Sequence, residues 1–321
     1  MDARVATALS VVAGAMLAAQ ARVNGSLAKV LGAGAAVPTA SVSFSAGTAI
    51  LAVVVMAGGR HRAAEAAWQA WRTSGRPVRW WWFLGGLGGA SIVGTAAYAV
   101  PLVGVAFTTV AAVSGQLVGG GLVDATGLGP GGRHAPSALR GLGVLLAFGG
   151  LVLAAVGRTG AAGGARVGLL VLIAGAGVLV SLQQAANGHL QRMTDDAPVA
   201  ALVSFAVGAV TLLAISAVLL AAGAVRPLHQ PGLGRWWMFF GGIGGATYIV
   251  LSAATVRRLG VLALSLGLTA GQLVAGLVLD ATLPAGEHLR WTTVLGAALA
   301  VLAVLVVSRE GTVRPATRRS G

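Results

Sequence analysis

The chain has 321 residues, 56% of them hydrophobic and only 9% charged, with 50 glycines and a mean hydropathy of +0.86; a soluble domain carries roughly 25% charged residues. That composition excludes a soluble globular protein and predicts an integral membrane protein. The net charge of +14 comes from arginines placed between apolar runs, where they orient a membrane protein, so no nucleic-acid partner is expected, and the lack of cysteine excludes disulfides, thiolate metal sites and cysteine nucleophiles.

Crossing a bilayer core takes about 20 helical residues. Ten apolar runs have that length: residues 4–24, 38–57, 80–98, 102–123, 139–157, 166–186, 198–222, 236–254, 260–279 and 291–308. The fold class expected is therefore all-α and integral to the membrane, with ten transmembrane helices. The first run ends Ala-Ala-Gln-Ala, as a secretory signal peptide does. Its Gln…Asn-Gly pattern recurs in mid-chain at Gln183 to Gly188, where no signal peptidase acts, so it is read as a structural element. Residues 60–79, RHRAAEAAWQAWRTSGRPVR, predict a short basic helix at the cytoplasmic interface, anchored by Trp68, Trp71 and the Trp80–Trp82 cluster and by arginines facing anionic lipid. Trp236 and Trp237 open the matching run of the second half as interface anchors. Lysines and arginines number 15 on the side of both termini and 7 on the other. The positive-inside rule then predicts cytoplasmic termini in a bacterial inner membrane, with the polar tail 310–321 disordered.

Five runs fall in each half, and the halves are copies. Gly85–Thr126 aligns without a gap on Gly241–Thr282, matching Gly85, Gly86, Gly88 and Gly89 with Gly241, Gly242, Gly244 and Gly245. In the same register Gly104 falls on Gly260, Gly115-Gln116-Leu117-Val118 on Gly271-Gln272-Leu273-Val274, and Asp124 on Asp280. Upstream, Gln20, Asn24, Ser43 and Phe44 find partners in Gln183, Asn187, Ser204 and Phe205. The expected organisation is a first repeat over 1–160 and a second over 161–309. Because five is odd, the second unit enters the membrane from the opposite face, giving inverted repeats of the kind that alternate access around a site near the midplane.

Polar side chains inside apolar runs are the candidates for function, since an unpaired buried amide costs several kcal/mol (about 2–7). Gln116 and Gln272 flank the expected midplane from equivalent positions. Gln20 with Asn24, and Gln183 with Asn187, lie one turn apart on the first helix of each unit, and Ser43 and Ser204 occupy the second. These eight are the substrate-pathway candidates, each alternatively a hydrogen bond between helices. Asp124 and Asp280 end equivalent helices and are candidates for a gate or ion coupling, or else solvated helix ends. Inversion separates them by about the 30 Å core, too far for the shared-proton chemistry of an aspartyl protease. The five histidines, His61, His134, His189, His229 and His288, form no ligand-spaced set. No enzyme activity, cofactor or metal is expected. Glycine pairs four apart, such as Gly85 with Gly89 and Gly241 with Gly245, mark faces where another helix approaches closely.

The ordered series Gln…Asn-Gly-x-Leu, Pro…Ser-Phe…Gly, Trp-Trp…Gly-Gly-x-Gly-Gly-Ala and Gly-Gln-Leu-Val…Asp resembles the bacterial YdcZ-like membrane proteins of the drug/metabolite transporter superfamily. The resemblance covers nearly the whole chain, twice, and is similar in plan to ten-helix EamA-type carriers built as fused pairs of five-helix units. One departure is that the Asp-x-x-Gly ending at Asp124 and Gly127 becomes Asp280 followed by Leu283. The function expected is an inner-membrane secondary transporter exporting a small metabolite or drug-like solute, and the alternative is a non-transporting scaffold or sensor. The partners expected are the lipid bilayer and a small-molecule substrate, with a homodimer left open.

Overall fold

The structure, a computed structural model, describes residues 2–130, 132–133, 137–155, 163–225, 232–283 and 289–313. His134, His229, His288 and the tail from residue 314 lie outside them. All described secondary structure is helical: α1 (Ala3–Leu31), α2 (Ala36–Ala57), α3 (Arg60–Thr73), α4 (Gly86–Val103), α5 (Val105–Thr126), α6 (Ala138–Ala155), α7 (Gly163–Thr194), α8 (Ala197–Ala221), α9 (Gly241–Thr282) and α10 (Trp291–Val313). Among the described residues, six spans are long and apolar enough to cross a membrane: 4–31, 36–57, 80–103, 105–126, 167–194 and 197–221. Shorter apolar helices cover 141–154, 267–282 and 291–306. The chain is thus a multi-pass helical membrane protein.

Local chemistry sets the boundaries. Asp196 caps α8 by accepting the Val199 N–H at 3.0 Å, and its other carboxylate oxygen takes Arg60 of α3 at 2.8 Å. Two short 3-10 segments, Trp80–Gly85 and Leu233–Phe240, lead into α4 and α9. Here the interface reading needs adjustment. Trp80 is exposed, but Trp82 is buried, lying parallel to the His189 ring at 4.5 Å and edge-on to Trp71 at 6.4 Å. Helix α3 is therefore docked on the end of α7 through its indoles, with the arginine-rich remainder facing outward.

Gly104, at φ +86°, separates α4 from α5 three residues after Pro101. The second copy has Arg257 at the proline position, and there the backbone stays helical through all 42 residues of α9. Two separate runs were expected here. Yet α9 is not a straight rod: Gly244 faces Met16 of α1 while Gly14 of the same helix faces Leu268. A straight helix holds residues 244 and 268 about 36 Å apart at 1.5 Å per residue. The element doubles back between them, so both of its arms lie along α1, just as α4 and α5 both lie along α7.

The packing is reciprocal between the halves. Gly85 and Gly89 of the α4 arm meet Asn187 and Gln183 of α7, and Gly241 and Gly245 of α9 meet Asn24 and Gln20 of α1. Gly177 lies on Ala112 and Gln116, and its counterpart Gly14 lies on Leu268 and Gln272. A Cβ at Gly86 would overlap the Ser204 carbonyl oxygen, and one at Gly242 that of Ser43. The small-residue faces thus join each half to the first two helices of the other, while α2 crosses α8 and α6 pairs with α10.

Candidate functional site

Where the two halves meet, the core is not solid. A cavity of about 650 Å³ lies between α1, α4, α5, α7, α8 and α9, within the size range of small-molecule sites, roughly 300–1,000 Å³. Gln20, Asn24, Gln116, Gln183, Asn187 and Gln272 all line it. Ser43 and Ser204 do not. They stand one layer behind, buried, and accept hydrogen bonds from the lining amides: Gln20 Nε2 to Ser43 at 3.1 Å, Asn24 Nδ2 to Ser43 at 3.2 Å and Gln183 Nε2 to Ser204 at 3.1 Å. Asn187 Oδ1 is buried with no hydrogen-bond partner among the described residues. Gln116 also has a structural duty, as its backbone carbonyl accepts the Ser181 hydroxyl at 2.8 Å.

Phe44 and Phe205 stack on each other across the contact between halves, ring centroids 4.9 Å apart and planes at 24°, and both face the cavity. Each ring fills a space that a glycine leaves in the other half: Phe44 against Gly208, Phe205 against Gly47. Sequence reasoning paired these phenylalanines as repeat partners without placing them at the site, because an aromatic in an apolar run carries no polar signal. Gln184, Gln191 and Tyr248 also line the cavity and were missed. Their only hint in the sequence was that Gln184 follows the recognised Gln183 and Gln191 lies one turn beyond Asn187.

The cavity is lopsided. Along α7 and α8 its lining runs past Asn187 to Gly188, exposed Gln191 and Ala197, beside the docked α3. Along α1 it stops, among the described residues, at Asn24. Beyond Asn24 the helices close, as Gly25 abuts Val100 and Pro101 of α4; alongside, Ala18, Val100 and Val105 form a fully buried cluster. Asp280 completes this closed end. Its carboxylate is buried and accepts the Val105 and Ala106 N–H groups at 2.8 Å each, so the last turn of α9 ties down the first turn of α5. Asp124 lies half-buried at the other end of α5, 19 residues and about 28 Å from that contact. The two aspartates are not brought together, and neither lines the cavity.

A family described as "Putative inner membrane exporter, YdcZ", of the drug/metabolite transporter type, matches residues 5–153 and again 168–306. The chain belongs to this family. Two successive matches in a single YdcZ-family chain agree with the internal duplication, and an inner-membrane family agrees with the apolar helices. A comparison with curated proteins finds no match.

Proposed function

We propose that this YdcZ-family protein is a secondary carrier that exports a small solute across the inner membrane, alternating access between two inverted five-helix units spanning about 1–160 and 161–309. The observation that carries the reading is the central cavity, lined by amide pairs drawn from equivalent positions of both halves, with an extended mouth at one end and a sealed wall at the other. With α9 folded as two arms, each half supplies five membrane-crossing segments, and reciprocal contacts between copies are what a two-fold axis in the membrane plane produces. The extended mouth lies on the side of α3 and Arg60, which the distribution of arginines makes cytoplasmic, so the form described is the inward-facing one. The contact of Asp280 with the first turn of α5 is then the outer gate. The repeat-equivalent Asp124 is its counterpart at the inner end. Gln20, Asn24, Gln116, Gln183, Asn187 and Gln272 contact the solute, and Ser43 and Ser204 orient them.

Flux in proteoliposomes tests this. Counterflow of a panel of labelled uncharged, cationic and anionic probes is expected to saturate for one class with wild type, and to fall at least tenfold in the Gln116→Ala, Gln272→Ala double variant. If no probe crosses faster than in protein-free vesicles, or the double variant carries it equally well, the scaffold reading takes its place.

A further inference from the structure

The hydrogen-bonding chemistry of the cavity narrows the solute that the carrier reading leaves open. Gln20 and Asn24 converge on one hydroxyl, Ser43, and a hydroxyl has one proton to give. It cannot satisfy two carbonyl oxygens, so at least one amide must turn its NH2 toward it, and as placed both do. Gln183 does the same toward Ser204. The amide groups turned away from the serines are then carbonyl oxygens. The hydroxyls in the wall point the same way. Ser252 donates its proton to the Tyr248 carbonyl at 2.6 Å and Thr108 to that of Gly104 at 2.7 Å, which leaves lone pairs for a guest. These groups present acceptors, so a guest that meets them brings O–H or N–H donors.

Charge is the second discriminator. No carboxylate, lysine, arginine or histidine lines the cavity among the described residues. The nearest acid by function, Asp280, is spent on the α5 backbone. An ion here faces only neutral dipoles, and an unpaired buried charge is strongly disfavoured. A cation additionally approaches a protein of net charge +14 past the arginines of α3. We infer that the cavity binds an uncharged, donor-rich solute of the polyol class, held by the carbonyls of Gln20 and Gln183, with its carbon face against Phe44 and Phe205.

This deepens the carrier reading and depends on it for passage but not for binding, so the two are measured apart. Three probes share a six-carbon acyclic skeleton: sorbitol is neutral, gluconate is an anion and N-methylglucamine is a cation at pH 7. Binding to the detergent-purified full chain is followed by thermal shift and equilibrium dialysis. Sorbitol is expected to bind at least tenfold tighter than either ion, and to lose at least tenfold in the Gln20→Leu, Gln183→Leu variant. Gln116→Glu, or Gln272→Glu should the first not fold, adds a carboxylate to the wall and is expected to reverse the preference toward N-methylglucamine. The inference is overturned if either ion binds the wild type as tightly as sorbitol does, or if sorbitol does not bind. Sorbitol that binds yet never crosses a proteoliposome membrane supports the site and defeats the carrier reading. N-methylglucamine crossing saturably where sorbitol does not keeps the carrier and overturns the inference.

Discussion

At the scale of single residues, one geometry separates Asp280 from a solvated helix end. Two backbone N–H groups at 2.8 Å point into a buried carboxylate, and charge-assisted bonds of this kind are shorter and stronger than neutral ones. Asparagine keeps only one acceptor oxygen and sets its NH2 against a backbone donor. Leaving a buried donor unsatisfied costs about 1–3 kcal/mol. Asp280→Asn is therefore expected to lower the melting temperature in detergent below that of the wild type. If Asp280 is also the outer gate, the same substitution is expected to speed labelling of an Ala18→Cys reporter by external maleimide severalfold, since Ala18 lies fully buried beside Val105. An unchanged labelling rate would confine Asp280 to a stabilising role. Gly104→Ala should mimic the stability loss, because the residue sits at φ +86° and its Cβ would lie 2.5 Å from an Asp280 oxygen. The amides were legible in the sequence because a glutamine inside an apolar run must find a partner. The acidic pair was legible only as a repeat, since nothing in a sequence tells a carboxylate that caps a distant helix from one in water.

Among the helices, the glycines carry the clearest test. All eight residues of the pairs Gly85/Gly89, Gly115/Gly119, Gly241/Gly245 and Gly267/Gly271 face the first helix of the opposite half. The four-residue spacing made a contact face legible; which helix it met was not, because spacing fixes a face and not its partner. Gly86 and Gly242 abut the backbone of α8 and α2, whereas a Cβ at Gly120 or Gly121 meets nothing within 4 Å. Valine at Gly86 or at Gly242 forces two backbones apart, and overpacking of this kind costs about 1–3 kcal/mol or more. Both substitutions are expected to cut folded yield and melting temperature to a similar degree, while Gly120→Ala and Gly121→Ala leave both unchanged. Unequal losses at Gly86 and Gly242 would contradict the reciprocity of the two interfaces. The helix ends were harder to read. A proline and a left-handed glycine end α4 where a boundary was expected, but the second copy lacks the proline and its backbone is assigned to a single helical element, α9.

For the whole molecule, the duplication was legible because equivalent helices must solve the same packing problem twice, and the glycines and amides that solve it cannot drift far. The lopsided cavity was not legible. Two nearly identical halves can lean toward either side of the membrane, and the repeat pattern does not encode which. Handedness across the bilayer is the property on which the carrier reading turns. Thr126 and Thr282 end equivalent helices, both exposed, and the Asp280 carboxylate lies at the opposite end of α5 from Asp124. If the repeats are inverted, these threonines open onto opposite sides of the membrane. The chain contains no cysteine, so Thr126→Cys and Thr282→Cys each give a single reporter without other changes. In intact cells a membrane-impermeant maleimide is expected to label Thr282→Cys and spare Thr126→Cys; in inside-out vesicles the pattern should reverse. Labelling of both from the same side would put the two copies in parallel, and alternating access about an in-plane axis would then fail.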